Sequence, residues 1–296
     1  IKATWLGHAC FLVELPSATA GLRGARILFD PVFSDRCSPT QWIGPKRFTP
    51  PPCALHDIPA IDAIVISHNH YDHMDTASLT ALLARTPAPP VFAPLGNVPY
   101  LTSLLPHRPK SAPPQVQTLD WWDARRVAPP GGVAPFDVTL TPAQHFTGRG
   151  LHDRFRTLWG AWVVEGGEGA GARVYFGGDT GYRAVPSSSD EGPDTLPVCP
   201  AFKEVGARFG GFDLALIPIG AYAPRRPMSN IHCAPRDSVA IFHDIRARRA
   251  LGMHWGTWTL TTEPVLAPPA ELAAACAAAR VPPGAFGVCA IGETVL

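Results

Sequence analysis

Ile64-Val65-Ile66-Ser67-His68-Asn69-His70-Tyr71-Asp72-His73-Met74-Asp75 begins as an apolar run and ends in three histidines and two aspartates within eight positions. A buried strand that stops at a loop exposes its next side chains at the rim of a sheet. Imidazole nitrogen and carboxylate oxygen are good ligands for zinc and related divalent cations, and no cysteine interrupts the cluster. His68 and His70 alternate, so in extended backbone they share a face. Asp72 and His73 follow where the chain must turn and approach from a second direction. Donors grouped in this way favour two adjacent cations over one.

Each cation needs further donors, and three sit where later strands end: His145 after Leu140–Gln144, Asp179 after Tyr175–Gly178, and His254 after Gly252-Met253. Singly, each has an ordinary structural alternative, Asp179 as a turn aspartate for example. Their shared placement at strand ends makes the joint reading a metal site facing a cleft.

Bulk properties narrow the class. A chain of 296 residues with 46% hydrophobic content can bury a large core, as one large domain over 1–296 or as two intimate ones. The 34 prolines and 27 glycines follow no period, which reads as rigid loops. Residues 184–200, with Ser187-Ser188-Ser189 and four prolines, read as a mobile surface insertion. A net charge of +1 argues against a nucleic-acid partner. Seven cysteines without a CxxC pair read as free thiols in an intracellular, reducing compartment. No apolar run reaches the roughly 20 residues that span a bilayer, and no signal peptide is visible. The chain opens directly on strand-like residues, so a trimmed N-terminal extension is expected.

Strands are expected at 3–14 (two, around Gly7-His8), 26–31, 61–67, 91–93, within 113–123, and at 137–142. Further strands are expected at 159–165 paired with 173–178 across a glycine-rich turn, then at 212–219, 250–254 and 287–291. Helices are expected at 75–85 with Asp75 as N-cap, from Pro235 to about Arg249, and at 270–280. Ile61–Ile66 echoes Phe212–Ile217 in an apolar-Asp-apolar design, which suggests two similar halves facing each other.

The order HxHxDH, distant His, Asp in a Gly-Asp-Thr turn, and last His resembles the metallo-β-lactamase superfamily. The resemblance implies an α/β fold, the four-layer αββα sandwich. It also implies one zinc held by His68, His70 and His145, a second by Asp72, His73 and His254, and Asp179 bridging; other divalent metals fit the same donors. Longer blocks narrow the family. Thr4–Ala9, Ser38–Phe48, Asp120-Trp121-Trp122, Phe209–Ala215, Ile217–Tyr222 and Ala250–Trp258 are similar to the N-acyl-phosphatidylethanolamine-hydrolysing phospholipase D family, over nearly the whole chain. There are departures: the insertion, and an Ala234 that replaces an aspartate N-cap at a cost of about 1 kcal/mol; the family's membrane-associating N-terminal segment is not among residues 1–296.

That family implies a phospholipid substrate at a membrane surface, peripheral membrane association and a homodimer. It also implies hydrolysis to N-acylethanolamine and phosphatidate by metal-bound hydroxide attacking phosphorus, with no covalent enzyme intermediate. Asp72 and Asp179 are the candidates to orient the nucleophile or take its proton. His232 would face the substrate and assist, and Tyr222 would line the pocket. His8 is expected to brace a ligand from behind, Trp121 and Trp122 to anchor loops, and Lys46, Arg47, Arg225 and Arg226 mostly to face solvent. The alternative is a metal-dependent lactonase or other carbonyl hydrolase, since the same nucleophile serves either electrophile.

Overall fold

The computed structural model describes residues 1–105, 115–166, 171–186 and 196–296. In chain order the first strands are β1 (Lys2–Gly7), β2 (Cys10–Glu14), β3 (Arg26–Phe29), β4 (Ala63–Val65), β5 (Val91–Pro94) and β6 (Val116–Leu119). They are followed by β7 (Ala124–Val127), β8 (Phe136–Thr141), β9 (Ala161–Gly166), β10 (Arg173–Phe176), β11 (Leu214–Pro218), β12 (Ala250–Met253), β13 (Phe286–Gly287) and β14 (Thr294–Val295). These form two seven-stranded sheets, ordered β14-β1-β2-β3-β4-β5-β6 and β13-β12-β11-β10-β9-β8-β7.

Alternation along the strands explains the layering. Trp5, Phe11, Val13, Ile27, Phe29 and Val65 from the first sheet share one core with Phe136, Val138, Trp162, Val174, Phe176 and Leu216 from the second. The opposite face of the first sheet takes α1 (Thr76–Leu83) and α2 (Val98–Ser103), which bury Leu79, Leu82, Leu83 and Leu101 against Leu28, Ile64 and Val91. Beyond the second sheet lie α3 (Ala201–Phe209), α5 (Pro235–Asp244) and α6 (Ala267–Ala278), packed through Phe202, Val205, Ile241 and Leu272. The short α4 (Arg225–Met228) precedes α5. The result is the expected αββα sandwich. Among the described residues no helix is long and apolar enough to cross a membrane.

The internal echo has a structural counterpart. Asp62, just before β4, accepts the N–H of Arg26 at the start of neighbouring β3 (2.8 Å). Asp213, just before β11, accepts the N–H of Arg173 at the start of neighbouring β10 (2.9 Å). In both pairs the strands run parallel, so the two aspartates start equivalent strand pairs in opposite sheets.

Some boundaries differ from expectation. The helix opened by Pro235 stops at Asp244, because Ile245 caps it and Arg246 turns left-handed (φ 59°). Strands β7 and β14 and helices α2, α3 and α4 were not anticipated. The carboxylate of Asp237 accepts the Ala234 N–H (3.2 Å) and satisfies that helix-start donor although Ala234 itself has no cap to offer. Of the expected insertion, residues 187–195 lie outside the described residues. Its flanks are tied in, with Val185 buried and Arg183 bridged to Val198.

Candidate metal centre

Strand β4 ends at Val65, and the chain carries His68, His70, Asp72 and His73 across the rim before Asp75 caps α1 by accepting the Ser78 N–H. This loop is held from below. Asp30, after β3, accepts from the Ser67 N–H (2.7 Å) and hydroxyl (2.5 Å), and lies 2.7 Å from His73 Nδ1. It is held from above by Arg149, whose guanidinium donates to the carbonyls of Asn69 (3.0 Å) and Met74 (2.8 Å) and stacks on Tyr71.

The distant donors arrive from the second sheet. His145 follows β8, with Nδ1 bonded to the Ile231 carbonyl (2.8 Å), which leaves Nε2 to face the cluster. Asp179 follows β10 through Gly177-Gly178. A Cβ on Gly178 would lie 2.6 Å from Ser67 Cβ, and its φ is +55°, so only glycine lets the two rims approach here. His254 follows β12 in left-handed backbone (φ 65°).

Three overlapping donor groups form, each with its atoms within 4.8 Å of one another: His68, His70, His145 and Asp179; His8, Asp72, His73 and His254; and Asp179, His232 and His254. In the first, His70 Nδ1 lies 2.9 Å from His68 Nε2 and 3.3 Å from His145 Nε2. In the second, Asp72 Oδ2 lies 3.4 Å from both His73 Nε2 and His254 Nε2. Asp179 stands between them. Its Oδ2 is 3.6 Å from His145 Nε2 and 3.2 Å from His73 Nε2, and its Oδ1 is 3.0 Å from His254 Nε2. The seven residues singled out from the sequence therefore converge.

The electrostatics call for cations. Burial first, then neighbouring imidazoles, hold His68 well below the ordinary histidine range. Burial, with His232 and His70, does the same to His145, so both are neutral donors. Burial also opposes charge on His73 and His254, yet Asp179 and Asp72 outweigh it, lifting His73 well above its usual range and His254 to about 9. The buried Asp179 carboxylate and the half-buried Asp72 carboxylate thus demand compensating positive charge. His73 Nε2, Asp179 Oδ1 and both ring nitrogens of His254 are buried without a hydrogen-bond partner among the described residues. Buried polar atoms left this way fit a coordinated divalent cation.

His232 lies beside the cluster, its Nε2 3.9 Å from Asp179 Oδ2 and its buried Nδ1 without a hydrogen-bond partner among the described residues. Burial is the main reason its pKa falls to about 4. Tyr222 lines a separate cavity of about 570 Å³ with Arg183, Arg225, Asp237 and Glu271. His8 falls within the second group, its Nε2 2.8 Å from Asp72 Oδ2. Trp121 donates to the Trp159 carbonyl (2.6 Å) and Trp122 lies under Arg208, as loop anchors do. Two basic residues expected at the surface are engaged inside. Arg47 donates to the carbonyls of Val32 and Ser34, and Arg225 pairs with Asp237. Asp30 and Arg149 were not singled out beforehand. Asp30 had a signal as the last residue before Pro31 at a strand end, whereas nothing local marks Arg149.

Comparison with known proteins agrees with this architecture. The model of the Beta-lactamase superfamily domain matches residues 25–255. The N-acyl-phosphatidylethanolamine-hydrolyzing phospholipase D 1 of Caenorhabditis elegans is 38% identical over 90% of this chain and 67% of its own length. The mitochondrial enzyme of that name from Saccharomyces cerevisiae is 33% identical over 91% of this chain and 50% of its own. The chain thus spans between half and two thirds of these relatives. Among solved structures, an isothiocyanate hydrolase from Delia radicum gut bacteria superposes with a TM-score of 0.66 at 16% identity, covering 100% of this chain and 99% of its own. A metallo hydrolase from Ignicoccus hospitalis gives 0.61 at 20%, covering 99% and 97%. By family model, relatives and fold alike, the chain belongs to the metallo-β-lactamase superfamily and is a metal-dependent hydrolase of that fold.

Proposed function

We propose that this hydrolase is a phosphodiesterase of the phospholipase D type, cleaving N-acyl-phosphatidylethanolamine to N-acylethanolamine and phosphatidate at a centre of two divalent cations. The observation that carries the reading is Asp179 set between two donor groups, 3.6 Å from His145 Nε2 of one and 3.0 Å from His254 Nε2 of the other, in a chain whose relatives from two organisms are named for this hydrolysis. Zinc is the cation that the all-nitrogen-and-oxygen donor set suits best. His68, His70 and His145 would hold one ion, Asp72, His73 and His254 the other, with Asp179 between. Such a pair supplies Lewis acidity toward a phosphoryl oxygen and a nucleophile available near neutral pH.

The chain's own residues do the rest. Asp72 and Asp179 orient the attacking water and take up its proton. His232, neutral because it is buried, presents a ring nitrogen to a phosphoryl oxygen or to the departing alcohol. No activated serine or cysteine is required. Asp30 and Arg149 hold the ligand loop in register while the substrate exchanges.

The test is zinc-loaded protein offered N-acyl-phosphatidylethanolamine vesicles and, separately, a panel of lactones, with products identified by mass spectrometry. Release of N-acylethanolamine and phosphatidate is the expected outcome. Lactone opening with no phospholipid cleavage rejects the reading.

A further inference from the structure

Large hydrophobic side chains exposed to water are distributed unevenly. Of the eleven among the described residues, five (Trp42, Ile43, Phe48, Leu151 and Phe155) sit on just two loops. Scattered apolar residues at a surface need no explanation, but a Trp at 91% exposure beside an Ile at 72%, with a Leu at 95% on the second loop, is a costly arrangement in water.

Both loops are fastened to the metal centre at their bases. In the first, the Phe48 N–H donates to the Thr257 carbonyl (3.0 Å), and Arg47 stacks on Trp258. The Trp258 ring in turn lies 4.9 Å from that of His8. In the second, Gly148 donates to the Asn69 side chain between two candidate ligands. A row of rings then leads outward, from His70 to Phe146 (4.5 Å) and on to the exposed Phe155 (6.2 Å). The loops also carry positive charge, with Lys46 exposed 4.0 Å from Asp35 on the first and Arg154 and Arg156 exposed on the second.

Resting on the phosphodiesterase reading, we propose that these two loops dock the protein on a bilayer containing anionic lipid, with Trp42 and Ile43 entering the interface. A lipid phosphodiester must reach the cations while its acyl chains stay in hydrocarbon, so the apolar contact has to border the metal centre, as these loops do. The chemistry is interfacial: an indole and branched aliphatics beside Lys and Arg. The apolar residues stand on separate loop tips, which suits a fluid surface better than a fixed protein groove.

The experiment is flotation of the chain with phosphatidylcholine–phosphatidylserine vesicles free of N-acyl lipid, so that binding is read without turnover. The double variant Trp42→Ser/Ile43→Ser and the single variant Leu151→Ser should each bind less, the double by roughly tenfold or more. Turnover of water-soluble bis(4-nitrophenyl) phosphate by the double variant should stay within about twofold of wild type, which also shows that the variant is folded. Wild-type protein that does not float, or variants that float equally well, would overturn the proposal. A loss of self-association with vesicle binding unchanged would assign the patch to a second copy of the chain and also overturn it. Vesicle binding without any phospholipid cleavage would reject the phosphodiesterase reading alone.

Discussion

His8 positions two candidate ligands of the same donor group at once. Its side chain reaches Asp72 at 2.8 Å, while its carbonyl accepts the His254 N–H at 3.0 Å. It does so from left-handed backbone (φ 52°), held by Thr257 Oγ1 on its N–H and by Trp5 Nε1 on its carbonyl. Replacing His8 with Leu removes the brace on Asp72 and should cost roughly 10- to 100-fold in affinity for one metal equivalent. Chelator competition would reveal this as biphasic release, and His8→Gln, which keeps an N–H donor, should restore much of the loss. Monophasic, wild-type-like release from His8→Leu would show that the contact is incidental. Asp72→Asn and His145→Ala remove proposed donors themselves and should lower turnover by more than about a hundredfold; normal rates in both would remove those assignments. The donors were legible in the sequence because ligand chemistry is restricted to few residue types and four of them lie within six positions. The brace could only be guessed at, since Asp72 is 64 residues from His8 and their pairing depends on how β1 and the β4 loop meet.

At the level of elements, one carboxylate organises the approach to His232. Asp237, in the first turn of α5, accepts from Arg183 Nε (2.7 Å) and Arg225 Nη2 (2.6 Å), and Arg225 also donates to the His232 carbonyl (3.2 Å). The loop after Asp179, helix α4 and helix α5 are thereby tied to one buried group. Asp237→Ala takes the carboxylate from two largely buried guanidinium groups and should destabilise the fold by about 3–5 kcal/mol. Urea unfolding measures this directly, and a change below about 1 kcal/mol would contradict the assigned role. Strands ending in donors were readable from apolar runs, as with β4, β8, β10 and β12. Other elements were not. Strand β7 reads Ala-Arg-Arg-Val, an edge strand whose side chains are mostly exposed and carry no hydrophobic alternation. Helix α3 has real signals, a preceding proline and a left-handed Gly210 after it, but it adjoins a proline- and serine-rich stretch that obscured them. Strand β14 is two residues long and exists only because β1 offers it an edge.

For the whole molecule, the donors come from both halves of the sandwich. His68, His70, Asp72 and His73 extend from the first sheet, and His145, Asp179 and His254 from the second. We read the chain as a single domain because both sheets contribute to one core. Bound cations would therefore fasten the halves together at the rim, where the Asp72 and Asp179 carboxylates otherwise repel each other and depend on protons drawn to His73 and His254. Metal binding to the folded state alone adds about 2.7 kcal/mol of stability when free metal is a hundredfold above its dissociation constant. In a chain of this size that corresponds to a melting temperature higher by roughly 4 °C. Removal of metal with a chelator should lower the transition by that amount, and stoichiometric zinc should restore it. Calorimetry on chelated and reloaded protein decides the matter independently of any substrate. A melting temperature indifferent to both treatments would mean that the convergent histidines and aspartates do not bind metal in the folded chain.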